Sequence, residues 1–270
     1  MTAHNVTRRL PGADLSSDFA VVEAILRDRR SFFDGIRDGQ ALGIKIRAML
    51  ISSIAFLMVY GGVMGSTHSL AQTISSALKL PALFLVTLLI CLPTLYFFNV
   101  LFGSSQSLAQ NFALILTAVT VTSVLLLSFA PITLFFMLTS SNYQFFKLLN
   151  VAIFAITGVI GVTFLYQGMT YISTNDELAA LAALPTESLD EQARANELRR
   201  QAETGRQARK RILQLWVLVY AFVGTQMAWT LRPFFGAPGL PFEPFRQLGG
   251  NFYTNILASL AEVFGFGIVH

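Results

Sequence analysis

Twenty uncharged, mostly apolar residues, Ile212 to Leu231, follow the basic cluster Arg206, Arg209, Lys210 and Arg211 and run past Trp229 to Arg232. In hydrocarbon a lone segment satisfies its backbone only as a helix, and twenty residues rising about 1.5 Å each cover a core about 30 Å thick. The run therefore reads as a membrane span with a positive flank at one end and an aromatic, rigid segment at the other. Four more apolar runs precede it: Ala48 to Ser66, Leu80 to Phe102, Phe112 to Leu138 and Leu148 to Ile172. The expected fold class is all-α, a polytopic bundle of five spans. A last run, Phe252 to Val269, is expected to form a short sixth span or a re-entrant or interfacial helix.

Ionisable residues are scarce, 13% of the chain against roughly a quarter in soluble domains, and they sit beside the spans rather than in them. Proton relays, pumps and voltage sensors need intramembrane charge, so their chemistry is absent from spans one to five. Glu262 is the exception, expected at headgroup level on a shallow helix. The single cysteine, Cys91, excludes an intramolecular disulfide or a thiolate metal cluster. His4, His68 and His270 lie outside the spans, and no HExxH, CxxC or GxSxG pattern occurs. No enzyme activity and no cofactor are expected. The net charge of +4 gathers at span flanks, where topology explains it without nucleic acid.

Counting lysine and arginine fixes an expected orientation. Fifteen fall on the side of the N-terminus and the 173–211 insert, and four (Lys79, Lys147, Arg232, Arg246) on the other. The N-terminus and the insert are therefore expected in the cytosol. The chain divides accordingly into a cytosolic tail with an amphipathic helix (1–47), spans one to four (48–172), a cytosolic helical hairpin (173–211), span five (212–231) and an outer cap with the C-terminal apolar helix (232–270).

Within the tail, residues 1 to 16 are expected to be loose. Phe19, Val22, Leu26, Phe33 and Ile36 then recur at helical spacing, with Ile25 and Phe32 beside them, predicting one amphipathic helix that lies on the membrane face or covers the protein's own cytosolic face, the mixed charge favouring the second. Leu70, Ile74 and Leu78 predict a brief interfacial helix before the second span. Gly61 and Gly65 have the spacing that lets two membrane helices approach closely. Pro93 and Pro131 interrupt spans two and three, and Asn99, Asn150, Gln167 and Gln226 are expected to bond between helices. In the insert, Ser188 and Glu191 form a capping-box pattern that starts a helix running unbroken into span five.

The segment from Trp229 to Tyr253 holds Phe234, Phe235, Phe242, Phe245 and Phe252 among four prolines, with Arg232 and Arg246 alongside. It is too apolar for a solvated loop and too broken for a helix, and is expected to fold onto the outer span ends. Trp229, Arg232, Phe235, Phe242, Phe245 and Arg246 then form an interaction or lipid-headgroup site, and Arg206, Arg209, Lys210 and Arg211 a second one at the cytosolic surface. Arg232 and Arg246 are expected to pair with Glu243, Glu262, a carbonyl cluster or a lipid phosphate. Lys79 and Lys147 are expected to be solvated.

A polar N-terminus followed by five close-spaced hydrophobic helices, with turns such as LYFFNVLFGSSQSLAQ, resembles the Yip1 family of membrane-trafficking and uncharacterised bacterial proteins. The resemblance covers about Ala48 to Leu231, and the charged insert departs from it. QMAWTLRPFFGAPGLPFEPFR also looks like a motif of uncharacterised bacterial multi-spanning proteins. Together these imply a bacterial inner-membrane protein with a scaffold or organising role and no catalytic residue. The expected function is a non-enzymatic scaffold or accessory subunit, with lipid bilayer, other proteins or copies of itself as partners. The alternative is a transporter or lipid-handling protein with a polar path near Pro93, Pro131, Asn99 and Gln167.

Overall fold

The computed structural model describes residues 15–66, 68–101, 106–140, 142–182, 189–232, 234–235, 241–245 and 250–264, with side chains described for these except at 15–18, 101, 176–206 and 208–210. Within them the regular structure is all helical: α1 (Leu15–Arg27), α2 (Arg29–Arg37), α3 (Leu42–Gly65), α4 (Leu70–Leu101), α5 (Leu108–Thr139), α6 (Tyr143–Ala182), α7 (Leu189–Thr230) and α8 (Phe252–Val263). Five helices hold stretches long and apolar enough to cross a membrane: Leu42–Gly65, Leu70–Val100, Leu108–Thr139, Tyr143–Asn175 and Arg211–Thr230. We call the end of the bundle where α3 and α5 begin basal, and the end where they finish apical.

The most buried helix, α5, packs between α3 and α6; α4 lies on the far side of α3, and α7 rests outside against α4 and α6. Polar residues occupy this centre because most need little from their neighbours. Thr117, Thr120 and Thr122 each donate to the carbonyl four residues back, and Ser123 to that of Thr120. What remains is spent between helices. Ser53 Oγ lies 3.0 Å from Thr120 Oγ1, while Tyr60 donates to Asn150 Oδ1 at 3.0 Å and lies 3.2 Å from the Thr133 hydroxyl. Asn99 donates to Asn111 between α4 and α5. Trp216 of α7, fully buried, donates to the Cys91 carbonyl two residues before Pro93.

Contact between α3 and α4 is made by backbone. A Cβ added at Gly61 would lie 2.5 Å from the Ser76 carbonyl oxygen, and one at Gly65 2.6 Å from that of Gln72. The close approach expected from their spacing is thus present, and its partner is the first part of α4. That part is no separate interfacial helix: α4 runs without a break from Leu70 through Pro81 and Pro93. Within these turns Gln72 donates to Ser76, and Ser76 donates to the Phe234 carbonyl, which holds them against the chain that follows α7.

The tail corrects a second expectation. Its amphipathic segment is two helices, broken at Asp28, whose side chain caps α2 by accepting from Ser31 N at 3.4 Å. The break changes which residues face inward. Ile25, Phe32, Phe33 and Ile36 are buried, while Phe19 and Leu26, expected on the same face, stay exposed, with Phe19 stacked on Phe56 of α3. Residues 1–14 lie outside the described residues.

At the basal end α2 is tied to α5 and α6. Gln110 donates to the carbonyls of Ile36 and Arg37 at 3.1 and 2.7 Å, Tyr171 to Asp34 at 3.2 Å, and Arg29 to Gln167 at 2.7 Å. The Phe33 ring fills the space beside Gly168, where an added Cβ would approach it to 2.6 Å. Gly168→Val is therefore expected to expel Phe33 and detach α2, at a cost of about 1–3 kcal/mol as overpacking. Limited proteolysis checks this: cleavage between residues 27 and 41 rises in the variant while the spans stay protected, and an unchanged digest would contradict it.

Candidate functional site

The apical cap is where the structure brings together residues distant in sequence. Along α4, Gln72, Ser76 and Lys79 fall on one face and are buried. Gln72 donates to Ser76 at 3.1 Å, Ser76 donates to the Phe234 carbonyl, and the Lys79 ammonium donates to the Pro244 carbonyl. The ammonium also lies 4.7 Å from the centre of the Phe245 ring. Lys79 is only 8% exposed, which overturns the expectation that it is solvated. The reason is tertiary: the chain after α7 returns to the first turns of α4, bringing the Pro244 carbonyl to the ammonium and the Phe234 carbonyl to Ser76.

The same segment grips α6. Phe235 meets Tyr143 and Phe146 edge to face, each with ring centres 5.4 Å apart. Lys147, the second lysine expected in solvent, donates to Asn255 of α8 at 3.0 Å. The start of α8 is capped reciprocally by Asn251 and Thr254. Ser259 then donates to Gln144 at 3.0 Å, and Gln144 donates to Glu262 at 2.8 Å. Tyr253 hydroxyl lies 3.0 Å from that of Thr225 on α7. With 12 residues, about 18 Å of rise, α8 is too short to cross a core of about 30 Å, so the described part of the C-terminal run is no sixth span.

Of the residues singled out in the sequence, Arg232 stacks on Trp229, its Cζ 3.4 Å from the ring centre. This cation–π contact was not among the expected pairings; Glu262 accepts from Gln144. Phe235 is half-buried against α6, and Phe242 and Phe245 are exposed at the rim. Arg211 is exposed on α7. Arg246 and the side chains of Arg206, Arg209 and Lys210 lie outside the described residues. The residues that sequence reasoning missed are Ser76, Lys79, Gln144 and Lys147. Their one signal is register: Gln72, Ser76 and Lys79 share a helix face opposite Leu70, Ile74 and Leu78.

Chemically the cap is an anchoring surface. It pairs donors with carbonyls and rings with cations, and among the described residues no group of three His, Cys, Asp or Glu side chains is placed to hold a metal ion. The fold and this surface define an all-α, polytopic integral membrane protein that contacts the lipid bilayer. Comparison with protein-family models, with curated proteins and with solved structures finds no match to this chain.

Proposed function

We propose that the protein is a non-enzymatic membrane scaffold or accessory subunit, set in a bacterial inner membrane with its basal end in the cytosol. The observation that carries this is the length of α7. It spans 42 residues, of which Arg211–Thr230 are the 20 of the apolar span, so 22 residues, about 33 Å, continue beyond it as the same helix. A helix unbroken across the membrane boundary projects a stiff arm. The arm and its foot carry Arg194, Arg199, Arg200, Arg206, Arg209, Lys210 and Arg211, suited to acidic partners and, at the foot, to anionic lipid. The packing of its two flanking helices as a hairpin lies outside the described residues.

Support also comes from how the polar groups are used. Asn99 and Gln167, which a transport path would need, are engaged by Asn111 and Arg29. Kinship with the Yip1 family is part of the same proposal and rests on span layout and turn motifs. In mild detergent the protein is expected to elute as an assembly heavier than one chain by light scattering. Replacing residues 176–205 with a short Gly/Ser turn is expected to leave the bundle inserted and reduce the mass to that of a smaller assembly or a monomer. A full-length protein that is monomeric and moves solute in vesicles would overturn the proposal.

A further inference from the structure

Two ten-residue segments at the apical end repeat one spacing. Leu70, Gln72, Ile74, Ser76 and Lys79 open α4, and Tyr253, Asn255, Leu257, Ser259 and Glu262 lie in α8. At 100° per residue, the amide, the serine and the ionisable residue fall within about 60° of one another, opposite the two apolar positions. The burial follows that division. Gln72, Ser76, Lys79 and Ser259 are buried and Asn255 is half-buried, while Glu262, at the end of its segment, is exposed and accepts from Gln144. Meanwhile Leu70 is 78% exposed, Leu257 65% and Phe264 69%, with Ile74, Leu78 and Tyr253 exposed beside them. Helices that face water do the reverse, turning polar residues out.

We infer that these apolar stripes are covered by lipid acyl chains, so that α8 and the first turns of α4 form a collar seated in the apical leaflet. Three observations favour lipid over water or protein. First, the stripe on α4 does not stop at the collar. Leu70, Ile74 and Leu78 run on into Val86, Leu89, Ile90, Phe97 and Val100, the exposed face of the span itself. Secondly, α8 adjoins the exposed face of α7 (Leu215, Leu218, Val219, Phe222) through the bond between Tyr253 and Thr225. Thirdly, the polar flank of each segment is taken up inside the protein: by the carbonyls of Phe234 and Pro244 on α4, and by Gln144 and Lys147 for α8.

From Leu70 to Val100 the stripe rises about 45 Å, against a hydrocarbon core of about 30 Å. A tilt of about 20° recovers only a few ångströms of that difference. Acyl chains must therefore rise around the collar, or the bundle must lean further than most spans do. The inference does not depend on a scaffold function, and a scaffold could fail while the collar stands.

The test is spin-label accessibility in phosphatidylcholine vesicles, using the full chain with Cys91→Ala and one added cysteine. Ile74→Cys and Leu257→Cys probe the two stripes, and Leu70→Cys and Phe264→Cys their far ends. Leu89→Cys is the reference within the span and Gln207→Cys the reference in water, both exposed positions. Because the probe sites are exposed, a label there leaves the packing alone. The expected result is that all four probes collide with oxygen as Leu89→Cys does and are shielded from a water-soluble nickel chelate by at least about tenfold relative to Gln207→Cys. Chelate access equal to that of Gln207→Cys would place the collar in water and overturn the inference. Shielding from both colliders would also overturn it, by showing a protein cover such as a second copy.

Discussion

Replacing Gly65 with leucine is expected to stop α3 and α4 from closing at the apical end, and to abolish folding of the bundle in detergent when combined with Gly61→Leu. At both positions the obstacle to a side chain is the backbone of the facing helix: the carbonyls of Gln72 and Ser76, 2.6 and 2.5 Å from an added Cβ. Backbone in a helix yields less than a flexible side chain, so each substitution should cost at least the 1–3 kcal/mol typical of overpacking. Interhelical dispersion and hydrogen bonding, rather than water exclusion, hold membrane helices together, and both fall steeply with separation. Gly158→Leu is the control, because nothing lies within 4 Å of an added Cβ there. Thermal unfolding should show Gly158→Leu close to the parent and Gly65→Leu far below it. Equal midpoints for the two would mean that α3 and α4 do not pack as described.

The second large effect belongs to Lys79. Its ammonium donates to the Pro244 carbonyl and faces the Phe245 ring, so Lys79→Ala removes a charge-assisted hydrogen bond, a cation–π contact and the packing of the aliphatic stem. Together these are worth about 3 kcal/mol at the apical end. Lys79→Met keeps the stem, avoids burying a charge and should recover part of the loss. Cleavage at residues 241–245 by added protease reads the result most directly. We expect the order Lys79→Ala, Lys79→Met, parent, from most to least cleaved, with Lys147→Ala milder because Lys147 is only half-buried. A Lys79→Ala protein as resistant as the parent, beside an Arg232→Ala protein that is cleaved, would reverse the assignment and restore Arg232 as the chief anchor.

The spans were legible because hydrocarbon leaves few choices. A run such as Ile212 to Leu231 has to be a helix whatever surrounds it, and Gly61 and Gly65 announced a close crossing by spacing alone. What the sequence hid was sidedness. Leu70, Ile74 and Leu78 showed a helical stripe, but the rule that apolar residues face inward holds for helices in water, and here Gln72, Ser76 and Lys79 face inward instead. Lys79 and Lys147 looked solvated because charges beside spans usually are. Only the return of residues 234–235, 241–245 and 252–263, more than 100 positions later in the chain, supplies their partners. The split at Asp28 did leave a local signal, an aspartate three residues before Ser31, which the stronger hydrophobic period of the tail concealed. Arg232 was recognised as important, but its stacking on Trp229, a neighbour three residues back at the end of α7, was not among the expected contacts.

The central claim is a bundle of five spans with the end of α6 and the start of α7 on the N-terminal side, and single-cysteine labelling in intact cells tests it most directly. In the Cys91→Ala background, cysteines at Gln40 and Gln207 mark the basal end, and cysteines at His68, Asn142 and Asn251 the apical end. A membrane-impermeant maleimide added outside is expected to modify positions 68, 142 and 251 and to reach 40 and 207 only after the cells are opened. Labelling of Gln207→Cys from outside, or of positions 68 and 142 on opposite sides, would contradict the orientation in the first case and the number of spans in the second.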